Sequence, residues 1–445
     1  MKLLVYIIGM FSSCLLLSLQ GLCQESHNDN LPAAEQSRIF AKAAQYYHRL
    51  GELKKRYPPT DANRTAAGHV LFSWPLKVNS NYDDIPNYYS IVNYWDLTSG
   101  SAETDWQCGS RTYNGHNGTD IALWPFWWRM KDNDNVFAAA AAPGVVIDVV
   151  QGFGDENCEL SSFPTNIVSL LHSDSSISHY LHLKANSALV NENDIVSEGQ
   201  PLAVIGSSGR STYPHLHFQV EDKNNNSIEP FKNPVSPDCN TLNSDTWWKN
   251  QKPYWEPQVN RIATHSGRPS LWGPDDTDAD YFCRNNENAR LKNNFSAGDS
   301  LYAYIYFHDM QSNDDYDLEI IAPNGSVRYS NSRTNSGAAF SFGYYFEPFK
   351  IPANAETGTW QLRVTYRAKL YKHYFTVSCV ANYNLSTESG SYGRIASDYI
   401  QSTTIVAGSN DVRLQAGNYI DLKPGFHAQA GTTFKARIRE CNYTD

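Results

Sequence analysis

The stretch YPHLHFQV (213–220) places two histidines two residues apart in a run that alternates in side-chain character. Successive side chains of a β-strand project to opposite faces, so His215 and His217 lie on one face, roughly 7 Å apart. Leu216 and Phe218 then point into the core from the other face. This spacing suits one metal ligand beside one proton-handling group, and it does not by itself say which histidine is the ligand.

A second stretch upstream, GHNGTDIAL (115–123), carries His116 and Asp120 four residues apart. The two side chains do not share one face of a regular strand as neighbours, but we expect them to converge where Gly118 lets the chain bend. Two imidazoles and one carboxylate, with a fourth position left to water, are the ligand set of a catalytic zinc site. The pattern therefore predicts such a site in the first β domain.

Two more stretches lie between these motifs. LLHSDSSISHYLHL (170–183) contains His172, His179 and His182, and EGQPLAVIGSSG (198–209) is a glycine-rich strand and turn. A single His-x-His or His-x-x-x-Asp is usually incidental. Their combination within one window of the chain favours a built site.

In order and spacing, these stretches resemble the LytM/lysostaphin-type zinc endopeptidases of bacterial cell walls over roughly residues 70–235. The resemblance is carried by HNGTDIA (116–122), VFAAAAAPGVV (136–146), SHYLHL (178–183), VSEGQPLAVIGSSG (196–209) and PHLHFQV (214–220). It implies an antiparallel β-sheet peptidase domain that binds one Zn²⁺ per chain.

The resemblance also implies roles for single residues. His116, Asp120 and His217 would bind the zinc ion, and His182 and His215 would be the catalytic pair. It places His172 along the substrate groove. We expect the remaining histidine of that stretch, His179, to point to solvent.

Length and composition limit the class of protein to which the whole chain can belong. At roughly 150 residues per domain, 445 residues predict about three domains. A hydrophobic fraction of 41% with 18% charged residues excludes a disordered protein. The net charge of −10 provides no overall basic field for nucleic acid or anionic lipid. The 13% of aromatic residues favours β-rich domains.

The N-terminus predicts export. Lys2 precedes the uncharged apolar run LLVYIIGMFSSCLLLSL (3–19), and we assign residues 1–23 as a signal peptide, with an uncleaved anchor as the alternative. The mature protein is then secreted, periplasmic or at the cell surface, with no membrane association. The six remaining cysteines suggest disulfides.

Pattern changes along the chain give the domain organisation. We predict a mainly β protein with a short N-terminal helix. The helical spacing runs over 32–56. This helix either packs on the next domain or is a detachable prosegment. The predicted units are residues 24–65 (helical segment), 66–235 (zinc peptidase), 236–256 (linker), 257–380 (β-sandwich) and 381–445 (β-stack).

The final block is similar to small β-stack modules at the C-terminus of secreted bacterial proteins. That similarity rests on LQAGNYIDLKPGFHAQAGTTFKARIREC (414–441) and implies surface attachment, binding or export rather than catalysis.

Two segments depart from the family pattern, at 77–107 and 151–165. We interpret them as surface insertions that build one wall of the groove. Cys108 and Cys158 lie beside these insertions, and we predict that they are bridged.

The sequence therefore predicts a secreted zinc endopeptidase that cuts peptide cross-bridges of bacterial peptidoglycan. One alternative is a zinc endopeptidase acting on glycine-rich extracellular proteins. Another is a non-catalytic wall-binding or activator protein, although degenerate proteins of that kind typically lack ligands. The oligomeric state stays open.

Overall fold

The computed structural model describes residues 30–58, 68–82, 85–98, 102–159, 164–232, 239, 245–271, 283–284 and 287–441. The chain is mainly β, with several antiparallel sheets and a helical N-terminal segment, as predicted. The predicted signal peptide lies outside the described residues. Within the described ranges, no helix has the length and apolarity needed to cross a membrane.

The N-terminal helical segment packs on the first domain. It comprises α1 (Ala33–Ala43), a 3₁₀ segment (Ala44–Arg49) and α2 (Leu50–Arg56). Its apolar face is buried against strand residues of the main sheet, in a cluster formed by Leu31, Ile39, Ala43, Leu53, Val145, Ile147, Ile167, Leu171, Ile177 and Leu181. The predicted helix over 32–56 is therefore present, tightened in its middle by the 3₁₀ segment.

The main sheet of the first domain has seven strands: β2 (Tyr89–Asn93), β3 (Thr119–Leu123), β5 (Gly144–Val150), β6 (Ile167–His172), β7 (Ile177–Leu181), β8 (Ile195–Val196) and β10 (His215–Glu221). Their order in the sheet is β2-β3-β10-β7-β6-β5-β8, and all neighbouring pairs are antiparallel. A smaller sheet combines β1 (Leu76–Val78), β4 (Val136–Ala139) and β9 (Pro201–Val204), and α3 (Trp127–Asp132) follows β3.

A β-sandwich follows, with sheets of three and five strands. The three-stranded sheet consists of β11 (Gln258–His265), β13 (Ser300–Met310) and β16 (Phe340–Lys350). The five-stranded sheet consists of β12 (Asn294–Phe295), β14 (Asp315–Ile321), β15 (Val327–Thr334), β17 (Gly358–Tyr366) and β18 (Lys369–Val377). Alternate residues of β13 enter different cores: Ile305 and Phe307 pack between the two sheets, whereas Tyr304 and Tyr306 pack against the first domain.

The C-terminal block is a stack of short strands that pair in parallel. Its strands are β19 (Val380–Leu385), β20 (Tyr392–Ser402), β21 (Ile405–Val406), β22 (Asp411–Ala416), β23 (Tyr419–Leu422), β24 (His427–Ala428) and β25 (Thr433–Ile438). Alternate apolar residues such as Val412 and Leu414 fill its small core. The alternate residues of β22 (Asp411, Arg413 and Gln415) are polar, whereas Ile405, Leu422 and Ile438 of other strands in the stack are exposed.

The predicted Cys108–Cys158 bridge is wrong. Cys108 pairs with Cys239, and Cys158 pairs with Cys283, so neither cysteine bridges to the other. The third pair, Cys379 with Cys441, closes the C-terminal stack. Both cysteines of the first domain thus join it to later parts of the chain, which sequence proximity to an insertion does not reveal.

The segment 77–107 is not a surface insertion, and this correction matters for the site. It contains β2, which pairs with β3 and is buried along its whole length. The run YSIVN (89–93) has β-branched residues beside an aromatic one, which is typical of a buried strand. The polar residues on either side of this run hid the signal.

The first domain and the sandwich share one interface. Arg111 forms a buried ion pair with Asp309, at 2.7 Å between Nη2 and Oδ1, and donates to the backbone carbonyl of Tyr254. The indole N–H of Trp124 donates to the carbonyl of Phe307 at 3.1 Å. Aromatic side chains from both units pack around these bonds.

We predict that Arg111→Met strongly destabilises the protein, because it leaves the Asp309 carboxylate buried without its cation. Removing one partner of such a pair costs about 3 to 5 kcal/mol. Urea unfolding followed by circular dichroism measures the loss. Arg56→Met, which removes the exposed i,i+4 ion pair with Glu52, serves as the control and should change stability by no more than about 0.5 kcal/mol. Equal losses in the two variants would show that the buried pair does not hold the interface.

Candidate metal centre

Three side chains from two adjacent strands and one loop converge at a buried point of the first domain. Asp120 on β3 and His217 on β10 are direct cross-strand partners, and His116 lies in the loop before β3. His116 Nε2 lies 3.1 Å from Asp120 Oδ1 and 3.2 Å from His217 Nδ1, and His217 Nδ1 lies 2.9 Å from Asp120 Oδ1. The three groups are at most 2% exposed.

This donor set fits a zinc ion. Tetrahedral ligands at the usual Zn–N and Zn–O bond lengths are separated by about 3.3 Å, close to the three distances in this site. His116 Nδ1 is 2.6 Å from the backbone carbonyl of Tyr94, so that nitrogen carries the proton and Nε2 of the neutral ring presents a lone pair. Electron-rich atoms that converge in a dry site need a proton or a cation between them. Among the residues described, these three form a group able to hold a metal ion.

Burial opposes ionisation of Asp120, but without a bound ion the positive charge of a protonated His116 ring, and the hydrogen bonds that His116 and His217 then donate, outweigh it. Together they hold the pKa of the Asp120 carboxyl well below its ordinary value. The carboxylate is thus ready to act as an anionic ligand.

Gly118 lies at a bend, as predicted, and it also provides room for the site. Its φ does not lie in the left-handed range, but a Cβ at this position would come within 2.5 Å of Nε2 of His217. Only glycine lets the backbone of the first motif approach the His217 ring so closely. The predicted bend at Gly118 is therefore confirmed, and the space that this glycine leaves for the His217 ring is a second reason for the residue type.

Two residues outside the predicted motifs support the ligands. Asn93 is the last residue of β2, and Tyr94 follows it directly. Asn93 is the cross-strand partner of Asp120, and its Nδ2 donates to Asp120 Oδ2 at 3.0 Å. Asp120 thus stands between Asn93 and His217 in a row across three strands. The carbonyl of Tyr94 fixes the His116 ring. The strand signal in YSIVN (89–93) was the available clue to this support.

His182 and His215 lie beside the three ligands. Nε2 of His215 is 3.7 Å from Asp120 Oδ1, and the rings of His182 and His215 have centroids 4.5 Å apart. His182 Nδ1 donates to the carbonyl of Ser208 at 2.7 Å, and His215 Nδ1 donates to the carbonyl of Tyr213 at 2.9 Å. A carbonyl only accepts, so each neutral ring keeps its Nε2 as a proton acceptor.

His182 has an unusual backbone. It follows the last residue of β7 and adopts a φ of 61°, in the left-handed region that few non-glycine residues occupy. Strained conformations of this kind concentrate at functional sites. Here the conformation accompanies the hydrogen bond between the ring and the Ser208 carbonyl.

The other two histidines do not join the site, and both expectations for them are wrong. His179 is fully buried rather than solvent-facing, with Nδ1 2.8 Å from Ser169 Oγ and Nε2 3.2 Å from Glu221 Oε2. His172 is also fully buried, and it donates from Nδ1 to the Pro143 carbonyl rather than lining a groove. Burial lowers the pKa of His172, so this ring is neutral.

The described N-terminal segment touches the first motif. The Asn30 side chain donates to the carbonyl of Gly115 at 2.6 Å and accepts from the backbone N–H of Asn117 at 2.9 Å. These two bonds flank His116. The helices that follow pack on Ile177 and Leu181. Leu181 is the cross-strand partner of His217, and Ile177 is the partner of Glu221. Because cross-strand partners project from the same face of a sheet, the helices pack on the face that bears the ligands.

Comparison with known proteins agrees with this geometry. Residues 114–230 match peptidase family M23, and this part of the chain is an M23 peptidase domain, as the sequence resemblance predicted. The matched region begins after β2, so Asn93 and Tyr94 lie outside it.

The curated relatives are peptidoglycan DD-endopeptidases of Vibrio cholerae. ShyC is 33% identical over 107 residues, which cover 23% of this chain and 19% of ShyC. ShyA is 26% identical over 132 residues, which cover 30% of this chain and 26% of ShyA. The matched segments therefore span about a quarter or less of the length of these relatives.

Parts of the chain are also similar to solved structures. The catalytic domain of the antimicrobial peptidase lysostaphin from Staphylococcus simulans is 21% identical, with 35% of this chain and 96% of that domain covered and a TM-score of 0.20. A zinc-containing peptidase from Vibrio cholerae is 24% identical, with 39% of this chain and 44% of that chain covered and a TM-score of 0.22.

We predict that Gly118→Ala weakens metal binding about 10- to 100-fold, because the added methyl group displaces His217. Competition for Zn²⁺ with a chromophoric chelator gives the affinity. Gly154→Ala is the matched control, since a Cβ there meets no atom within 4 Å and Gly154 does not have a positive φ. Unchanged zinc affinity in Gly118→Ala would contradict the role of Gly118 as the space for the His217 ring.

Asn93→Ala tests the support from β2. Without the Asn93 donor the Asp120 carboxylate loses its orientation, and we expect about a tenfold loss of Zn²⁺ affinity in the same competition assay. The control is Asn224→Ala in an exposed turn of the same domain. If both variants bind zinc like the parent protein, β2 is a structural strand without influence on the ligands.

Proposed function

We propose that this protein is an exported zinc endopeptidase that hydrolyses the peptide cross-bridges of bacterial peptidoglycan. The observation that carries the proposal is the buried group of His116, Asp120 and His217, with His182 and His215 beside it. A closed structural zinc site uses four protein ligands, usually including cysteines, whereas this donor set has three. The similarity to peptidoglycan DD-endopeptidases supports the choice of substrate class.

The proposed chemistry divides between the ion and the chain. A bound Zn²⁺ ion supplies a water of lowered pKa and polarises the scissile carbonyl. His116 and Asp120 hold their donor atoms in place through Tyr94 and Asn93, so the site needs little rearrangement.

His215 is the proposed general base. Its Nδ1–H is fixed on the Tyr213 carbonyl, so Nε2 is the atom that accepts the proton of the attacking water. The same nitrogen returns that proton to the leaving amine when the peptide bond breaks. The distance of 3.7 Å between Nε2 of His215 and Asp120 Oδ1 supports this role.

His182 is proposed to stabilise the negative charge that develops on the carbonyl oxygen. Because its Nδ1–H is committed to the Ser208 carbonyl, His182 donates from Nε2 only as an imidazolium. A cation next to a developing oxyanion is an effective stabiliser in a dry site.

The function is tested directly on cell walls. Purified zinc-loaded protein is incubated with sacculi of several wall chemistries and, in parallel, with a glycine-rich extracellular protein. Mass spectrometry then searches for newly freed amino groups. Release from bridge peptides supports the proposal, release only from the glycine-rich protein favours the alternative substrate, and no release from any wall overturns the proposal.

Two histidine variants separate binding from catalysis. We expect His217→Ala to lose zinc, and His215→Ala to keep zinc but to lower kcat by about 10²- to 10⁴-fold, the usual contribution of a general base. Elemental analysis and turnover of a bridge peptide are measured on the same preparations. His427→Ala, an exposed histidine of the C-terminal stack, is the control and should change neither quantity. Retention of both metal and activity by the two site variants would show that the roles are misassigned.

A further inference from the structure

Hydrogen bonds connect the ring of His215 to the loop that follows β5. Nδ1 of His215 lies 3.3 Å from Ser211 Oγ, and Ser211 Oγ lies 2.8 Å from Ser207 Oγ. Ser207 Oγ donates in turn to the backbone carbonyl of Asn157 at 2.6 Å. His215 and both serines are at most 4% exposed, so this chain of hydrogen bonds is shielded from bulk water.

The carbonyl at the end of the chain fixes the direction of each bond in it. Because a carbonyl only accepts, the Ser207 hydroxyl proton goes to Asn157, and Ser211 must then donate to Ser207. Ser211 Oγ also lies 3.0 Å from the Tyr213 carbonyl, but donation there would leave the two serine oxygens 2.8 Å apart with no proton between them. Ser211 therefore accepts from the Nδ1–H of His215, which the Tyr213 carbonyl also accepts.

This direction matters for the other nitrogen of the same ring. A neutral imidazole with its proton on Nδ1 keeps Nε2 as an acceptor, and Nε2 of His215 is the nitrogen near Asp120. The Tyr213 carbonyl lies only two residues before His215 and moves with the same segment. The two serines connect the ring to a different part of the domain, so they restrict its orientation further.

The loop at the end of the chain is held against both serines by its own backbone. The N–H of Asn157 donates to the carbonyl of Ser207 at 3.0 Å, and Asn157 Nδ2 donates to the carbonyl of Gly209 at 2.6 Å. An isolated antiparallel bridge pairs Glu159 with Ser211. The Asn157 carbonyl is thus kept at a fixed distance from the Ser207 hydroxyl.

The same loop is tied to a segment far along the chain. Cys158, the residue after Asn157, is bonded to Cys283, and Nη1 of Arg284 lies 3.2 Å from Glu156 Oε1. This ion pair is solvent-exposed and contributes little to stability. Of the two links, the disulfide is therefore the stronger.

We propose that Ser207 and Ser211 are positioning residues for His215, and that the Cys158–Cys283 bridge supports them by holding the loop that carries Asn157. This inference rests on the role of His215 as general base in the proposed function. A reacting group that loses its orientation slows the chemical step. The chain should therefore affect kcat rather than zinc content or KM.

Ser207→Ala and Ser211→Ala test the chain by turnover of a bridge peptide. We expect kcat to fall about tenfold or more in each variant, with KM within about twofold of the parent value. Zinc content, measured by elemental analysis, should stay unchanged. The control is Ser176→Ala, which removes a similarly buried hydroxyl that donates to Asp174 before β7 and should leave kcat unchanged.

A spectroscopic measurement tests the same chain without turnover. In zinc-loaded protein labelled with ¹⁵N-histidine, the Nδ1–H signal of His215 is identified by its absence in His215→Gln, and its exchange with water is measured. Buried hydrogen bonds slow such exchange, so Ser207→Ala and Ser211→Ala should speed it about tenfold or more. Ser176→Ala should not.

The double variant Cys158→Ser, Cys283→Ser tests the support from the disulfide. It should lower kcat and speed the exchange of the His215 ring proton, as the serine variants do. The matched control, Cys379→Ser with Cys441→Ser, removes the bridge of the C-terminal stack and should change neither quantity. If the first double variant does not fold, a mild reductant opens the bridge in the folded parent, and mass spectrometry identifies the bridge that has opened.

Parent values of kcat and of ring-proton exchange in both serine variants would overturn the proposal. Zinc loss in proportion to the loss of kcat, or a rise in KM alone, would also overturn it, because the serines would then act on the ligands or on substrate binding. Parent values after loss of the Cys158–Cys283 bridge would refute the role of the bridge. If the parent cleaves no bridge peptide, the proposed function fails, and the exchange rates alone decide whether the chain holds the His215 ring.

Discussion

The antiparallel register between β3 and β10 is the constraint on which the candidate site depends. It sets Asp120 directly opposite His217, and the pairing of β2 with β3 sets Asn93 on the other side of the same carboxylate. A shift of one residue in either pairing would turn one of these side chains to the opposite face of the sheet. Gly118 then removes the steric barrier that would keep the loop bearing His116 away from this row.

The sequence predicts the metal ligands of the site better than the residues that hold those ligands in place. Residue types and spacing bring out the His-x-His and His-x-x-x-Asp motifs, because ligand chemistry requires specific side chains. The support is harder to recognise, since Tyr94 acts through its backbone carbonyl and Asn93 through a cross-strand neighbour. Neither contribution has a sequence signature of its own, and polar residues on either side of YSIVN (89–93) hide the strand that carries Asn93.

For the fold, too, the sequence predicts local features better than contacts between distant segments. The mainly β architecture and the N-terminal helix follow from the period of apolar residues, which local sequence records directly. The disulfides depend on which distant segments meet, so the position of Cys158 beside one segment gives no information about Cys283. The prediction that His179 points to solvent is wrong because the sequence does not reveal its buried partners, Ser169 and Glu221.

The interface between the first domain and the sandwich has a consequence for the way the chain is made. Trp124 and Trp127 of the first domain are covered in part by Tyr306 and Phe342, and Cys158 is bonded to Cys283. A ribosome or a secretion channel delivers the chain from its N-terminus, so the cover over these indoles stays incomplete until Phe342 has emerged. The first domain is therefore completed late, when most of the polypeptide has already been delivered.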